Sequence, residues 1–249
     1  MRAPPAEAVL AFDALALERC FLASDILHDD YGDPKSEYAL LGLASEDDPF
    51  RVIATPLLPG QHVTPSTVDQ SGHGVLRLRR EIQALSERMR RRLVPISFVH
   101  RHPGDCEASA VDREFLRGVF IDQVSTAISW REPAQVEAER PPCGCPEMQR
   151  LWREALCTRG VGRQLRLECA LCFSLIVNRE RDHRLYAARC ETCLLCGRRQ
   201  VREVPARLAI DAGLPLSERQ RRLLRERLAG EIAAKVVFEP RPAGLEVVR

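Results

Sequence analysis

The stretch Leu93–Phe120, LVPISFVHRHPGDCEASAVDREFLRGVF, constrains this chain more than any other. Leu93 to Val99 is an apolar, β-branched run, which predicts a buried strand. The strand ends on His100-Arg101-His102. Residues i and i+2 of an extended chain point to the same side, so both imidazoles face one point. Pro103-Gly104 turns the chain, Ser109 and Asp112 follow, and Asp112 opens a predicted helix. Two imidazoles and one carboxylate fill three positions on a zinc ion and leave the fourth to water, the arrangement of a catalytic zinc site.

His-x-His-Pro followed by Ser-x-x-Asp resembles the signature of the JAMM (JAB/MPN) zinc metallo-isopeptidases. That family also places a glutamate on an earlier strand, in a context like Glu-x-x-Gly-Leu-Leu-x-Gly. Ser36-Glu37-Tyr38-Ala39-Leu40-Leu41-Gly42-Leu43 is similar, though shorter. The resemblance implies that His100, His102 and Asp112 ligate the zinc. It also implies that Glu37 is the general base and that Ser109 helps hold the oxyanion. Nine residues separate His102 from Asp112, one fewer than is usual for the family. The Ser-x-x-Asp spacing is intact, which puts the missing residue in the Pro103–Ala108 turn and leaves Asp105 as the fallback third ligand. Glu46 is the next candidate base.

The chain has 249 residues, 45% of them hydrophobic, enough for a sizeable core in one large domain or two smaller ones. The charge nearly cancels at +2, which argues against wholesale nucleic-acid binding. No apolar run reaches the length of a membrane span. Asp13 and Glu18 interrupt the N-terminal apolar stretch, so it makes a poor signal peptide. Of ten cysteines, only Cys20 and Cys106 precede residue 140; the other eight fall between Cys143 and Cys196. Clustered cysteines without an export signal point to metal rather than disulfides, and to a reducing, cytoplasmic compartment.

In the first half, Val9–Phe12 predicts a strand, and Asp13 a cap for a helix to about Leu27. Further strands are expected at Glu37–Ala44 and Arg51–Leu57, with a loop over 58–74 that carries His62 and His73. Val75, Leu78, Ile82, Leu85 and Met89 mark an amphipathic helix over Val75–Arg92. A helix after Asp112 is expected to give way to a strand around Ile121–Trp130. The polar, proline-rich segment 131–142 reads as a linker. The expected fold class is therefore α+β: an MPN-like sheet flanked by helices over residues 1–135, then a smaller zinc-binding module over 143–249.

In that second half, Met148–Leu156 predicts a helix, and Leu165–Cys169 and Phe173–Asn178 two short strands. Cys169-x2-Cys172 and Cys193-x2-Cys196, the latter followed by Gly197, resemble the two knuckles of a zinc ribbon, a closed and therefore structural site. Cys143, Cys145, Cys157 and Cys190 remain for a second site; Cys190 could replace Cys193, and His183 could stand in. Ser217 caps a predicted helix over Ser217–Val237. Leu224, Leu228, Ile232 and Val236 form its stripe, and arginines crowd its first half.

The resemblance implies a zinc-dependent isopeptidase, of bacterial type, that removes or matures a ubiquitin-like protein by cutting after its C-terminal glycine. Homologues of ubiquitin-activating or conjugating enzymes would be its neighbours. The rival reading is a non-catalytic scaffold whose zinc ribbon and basic helix bind a partner protein or nucleic acid.

Overall fold

The sheet is built around the segment Ala39–Ser45, seven consecutive residues that are all buried. A continuous apolar run of this kind suits a strand covered on both faces. The computed structural model describes residues 7–30, 37–63, 68–70, 72–133, 141, 143–157, 166–211 and 216–238. In chain order the elements are β1 (Ala8–Phe12), α1 (Ala14–Asp29), β2 (Ala39–Ser45), β3 (Asp48–Ala54), β4 (Gln61–Val63) and β5 (Val68–Gln70). Then come α2 (Gly72–Met89), β6 (Leu93–Arg101), α3 (Ala110–Phe115), a π-helical turn (Leu116–Phe120), α4 (Ile121–Ala127) and β7 (Trp130–Pro133). The rest is α5 (Pro146–Cys157), β8 (Arg166–Val177), β9 (His183–Cys193), β10 (Arg199–Val204), β11 (Ala206–Ile210), α6 (Glu218–Lys235) and β12 (Val236–Phe238).

The fold is mixed α and β. Nine strands form one sheet in the order β10-β9-β8-β6-β2-β3-β1-β11, with β7 added to β8. The two ends of that order, β10 and β11, are consecutive in the chain and separated only by Pro205. The sheet is therefore nearly closed on itself at this proline, whose carbonyl accepts from the Ala8 amide at 2.7 Å. A second sheet, β12-β4-β5, has three short strands. One core runs through β1, α1, β2, β6, the π turn, α4, β8, β9 and α6.

The motif strand β6 sits between β2, antiparallel, and β8, parallel. Gly42 of β2 faces Ser97 of β6, and a Cβ on Gly42 would lie 2.9 Å from the Ser97 Cβ. No other residue fits between these two strands without moving one of them.

Several expectations change. The boundary between 135 and 143 is not a boundary of the sheet: β8, β9, β10 and β11 complete the same sheet that β1, β2, β3 and β6 begin. Ile121–Ala127 is helical, not extended; Ile121 and Val124, one helical turn apart, are buried together. The two short strands of the second half are one strand, β8, twelve residues long. Its N-terminal half pairs with β7 and its C-terminal half with β6. The 58–74 loop contains β4 and β5, and β12 pairs with β4. Of the expected linker, 131–133 belongs to β7, while 134–140 and 142 lie outside the described residues, as do the side chains of His62, His73 and Cys157. Asp13 stands at the start of α1 but makes no side-chain cap bond; its carboxylate accepts from Arg51 Nε at 2.8 Å instead.

The C-terminal helix forms, but it ends at Lys235; Val236 and Val237, expected to continue it, are extended and begin β12. Ser217 and Gln220 form a capping box, and Leu228 and Ile232 are buried. Its arginines are partly committed within the chain: Arg221 pairs with Glu18 at 3.0 Å and Arg225 with Asp30 at 2.8 Å.

Candidate metal centre

Three residues, two from the end of β6 and one from α3, converge at the C-terminal end of β6, and Glu37, just before β2, is near enough to feel their charge. His100 and His102 project from the same side of that strand end. Ala39 pairs with His100 across the β2–β6 ladder, and the Arg101 amide donates to the Tyr38 carbonyl at 3.0 Å. Glu37 lies two residues before β2, and the charges of His102 and Asp112 act on it. Asp112 comes from the first turn of α3.

Three ligand atoms converge. His100 Nε2 lies 3.2 Å from Asp112 Oδ1, His102 Nε2 lies 3.4 Å from Asp112 Oδ2, and the two Nε2 atoms are 3.2 Å apart. A tetrahedral zinc with bonds of about 2.0 Å sets its ligand atoms roughly 3.3 Å apart. The donor set and its spacing fit a divalent metal. His100 is buried and Asp112 half-buried, so charge here is poorly screened by water.

The protonation states favour the same use. Burial holds His100 below its usual pKa, against the pull of its Asp112 hydrogen bond. A neutral imidazole is the form that ligates metal. In the metal-free chain, the hydrogen bond with Asp112 raises the His102 pKa, with burial opposing and the Asp105 backbone assisting. Burial alone would raise Asp112; hydrogen bonds with His100, His102 and Ser109 outweigh it and hold the carboxyl well below the usual range. Burial raises the Glu37 pKa, and the charges of His102 and Asp112 act on it in opposite directions. Glu37 thus stands beside the three ligands and outside the converging set.

Ser109 is the N-cap of α3. Its Oγ accepts from the Asp112 amide at 3.2 Å, and its own amide donates to Asp112 Oδ2 at 2.7 Å. A serine hydroxyl can accept one hydrogen bond and still donate its proton. The fallback ligand Asp105 is not in the converging set; its Oδ1 accepts from the Glu107 amide at 3.0 Å, closing a local turn. Glu46 pairs with the exposed Arg92 at 3.0 Å.

Two residues of the second half support this loop, and no sequence pattern points to them. Asn178 Nδ2 donates to the Gly104 carbonyl at 3.1 Å. Tyr186 Oη accepts from the Ala108 amide at 3.0 Å and lies 3.3 Å from the Cys106 carbonyl. Arg113 and Arg184 lie over the Tyr186 ring, at 5.1 and 5.7 Å from its centroid. These contacts exist only because β8 and β9 join the sheet beside β6, a pairing that no local pattern announces.

A second group of ligands lies elsewhere. The sulfurs of Cys143, Cys145, Cys193 and Cys196 all lie within 4.8 Å of one another. This corrects the expected set. Cys169 and Cys172 lie within the single extended strand β8, where residues three apart point to opposite faces and cannot chelate one ion. Cys169 Sγ accepts from Arg189 Nη2 at 3.4 Å, and Cys172 Sγ donates to the Leu116 carbonyl at 3.6 Å. Cys190 is bonded by Arg199 through Nε and Nη2, each at 3.3 Å, and His183 opens β9; neither joins the thiol cluster. The signal for the observed pair was present in Cys143-Gly-Cys145-Pro146, a tight Cys-x-Cys turn. No protein-family profile and no curated protein sequence matches the chain.

Proposed function

We propose that this chain is a zinc-dependent peptidase or isopeptidase of the JAMM (JAB/MPN) type. It would remove or mature a ubiquitin-like protein by cutting after its C-terminal glycine. The observation that carries the reading is a carboxylate outside the converged ligands His100, His102 and Asp112 that feels the charges of His102 and Asp112: Glu37, two residues before β2. A metal-binding trio alone fits many roles. A carboxylate set beside it and not among the ligands is what hydrolysis adds.

His100, His102 and Asp112 would hold the zinc. When bound, zinc acts as a Lewis acid and brings the pKa of water toward about 7. Glu37 takes a proton from the attacking water and returns it to the leaving amine. The Ser109 hydroxyl, fixed by its bond from the Asp112 amide, donates to the oxygen on which negative charge develops. The second half supplies the loop supports Asn178 and Tyr186. No helix among the described residues is long and apolar enough to cross a membrane. The scaffold reading loses part of its basis, because Arg221 and Arg225 of the basic helix bind acidic residues of α1 and its C-terminal end.

The test is incubation of the zinc-loaded chain with a ubiquitin-like protein extended beyond its terminal glycine. Cleavage after that glycine, stopped by a chelator, is expected. A fusion that binds and stays intact would favour the scaffold. Ubiquitin-activating or conjugating enzyme homologues encoded beside this chain would supply the conjugates.

A further inference from the structure

The cysteine cluster is a built site. Cys143 Sγ lies 3.7 Å from Cys196 Sγ, and Cys145 Sγ 4.0 Å from Cys193 Sγ. A disulfide would bring two sulfurs to about 2.05 Å. Four sulfurs around a tetrahedral zinc, with bonds of about 2.3 Å, lie roughly 3.8 Å apart. The backbone is arranged for thiolates. The Met148 amide donates to Cys145 Sγ at 3.4 Å, and backbone amides of Cys145 and Arg198 bond Cys143 and Cys196. Between Cys193 and Cys196 the chain makes a tight knuckle. The Gly197 amide donates to the Cys193 carbonyl at 2.8 Å, and Gly197 takes a φ of 70°, a left-handed conformation that suits glycine.

We propose that Cys143, Cys145, Cys193 and Cys196 hold a zinc ion that fastens the β9–β10 turn to the start of α5. Four thiolates close the coordination shell, so this ion is structural. The two segments it joins are 48 residues apart at their nearest ligands. Between them lies a small separate core of Met148, Leu167, Cys169 and Cys193, flanked by Trp130, Leu151 and Trp152. So small a core gains little from burial alone, and a metal cross-link supplies what it lacks. This centre stands apart from the histidine centre. His100 pairs with Ile176 and Cys193 with Leu167, nine residues away along β8 and thus roughly 30 Å at 3.3 Å per residue. The inference does not depend on the hydrolase reading.

The experiment counts zinc in the purified full chain and in variants. His102→Ala removes the ion of the other centre, and one zinc per chain is then expected to remain. Adding Cys145→Ser should take the count to zero. Adding Cys169→Ala and Cys172→Ala instead should leave it at one. Because Cys145→Ser is exposed to aggregation, cobalt provides a second reading. Cobalt-loaded His102→Ala chain should show the thiolate-to-cobalt charge-transfer absorption of a four-sulfur site, and the Cys169→Ala/Cys172→Ala variant should keep its full intensity. Loss of a zinc or of that absorption on removing Cys169 and Cys172 overturns the assignment. So does one zinc surviving in His102→Ala/Cys145→Ser.

Discussion

Ser109 and Asp112 hold each other: the serine hydroxyl accepts from the aspartate amide at 3.2 Å while the serine amide donates to the aspartate Oδ2 at 2.7 Å. This reciprocal cap fixes Asp112 at the mouth of α3. On the proposed mechanism Ser109 would have two tasks, positioning Asp112 as the third ligand and facing the developing oxyanion.

Ser109→Ala separates the two tasks. Loss of the cap costs about 1 kcal/mol of stability and loosens the ligand. Zinc affinity should fall by roughly tenfold. At saturating zinc, kcat should still fall about 10²-fold with KM little changed, because an oxyanion donor acts mainly in the transition state. Full recovery of kcat on adding zinc would assign Ser109 to positioning alone.

Glu37→Gln keeps the shape of the side chain and removes its basicity. Zinc content should stay at the wild-type value, since Glu37 is not among the converging atoms. Cleavage of the extended ubiquitin-like protein should be abolished. Retained turnover would remove Glu37 from the mechanism.

The metal trio was legible because its chemistry is local. His100 and His102 share a strand, and Ser109-x-x-Asp112 is a helix-start pattern of four residues. Glu37 was reached through resemblance alone, because it precedes β2 and no local pattern ties it to the histidines. The cysteine assignment failed for the opposite cause. Cys169-x2-Cys172 has the spacing of a knuckle, but a knuckle needs a turn, and β8 runs straight because β7, β6 and β9 all pair with it. Ile121–Ala127 failed similarly: its β-branched residues suggest a strand, while packing of Ile121 and Val124 into the core holds a helix. The β1–β11 pairing joins Ala8–Phe12 to Ala206–Ile210, which no window of sequence contains.

Cys106 lies in the ligand loop and invites the idea of a thiol nucleophile. Burial, then the charges of Asp182, Asp105 and Glu180, push its pKa up to about 11. At pH 8 about one thiol in a thousand is then thiolate, the reactive form. Cys106→Ala should retain cleavage. The alkylation rate of Cys106, followed by peptide mass spectrometry, should rise about tenfold per pH unit from pH 7 to 10. A plateau by pH 9 would show an ordinary, unshifted thiol.

The second half braces the loop that joins β6 to α3. The loop from His102 to Asp112 carries two ligands at its ends and is held from outside at Gly104 by Asn178 and at Ala108 by Tyr186. Asn178 is itself fixed, its Oδ1 accepting from the Asp182 amide at 2.8 Å. The neighbouring Arg181 ties the same turn to α1 through Glu18 at 2.9 Å. Removing one support frees the loop at one point, and removing both frees the span between the ligands. Asn178→Ala and Tyr186→Phe should each weaken zinc binding at the histidine centre by roughly tenfold, the scale of outer contacts to metal ligands. The double variant should lose more than either, with the cysteine-centre zinc retained as an internal control. Zinc competition with a chromogenic chelator measures both centres in one titration. If the histidine centre keeps its affinity in the double variant, Asn178 and Tyr186 are packing residues, and the ligand loop is positioned by the Ser109 cap and β6 alone.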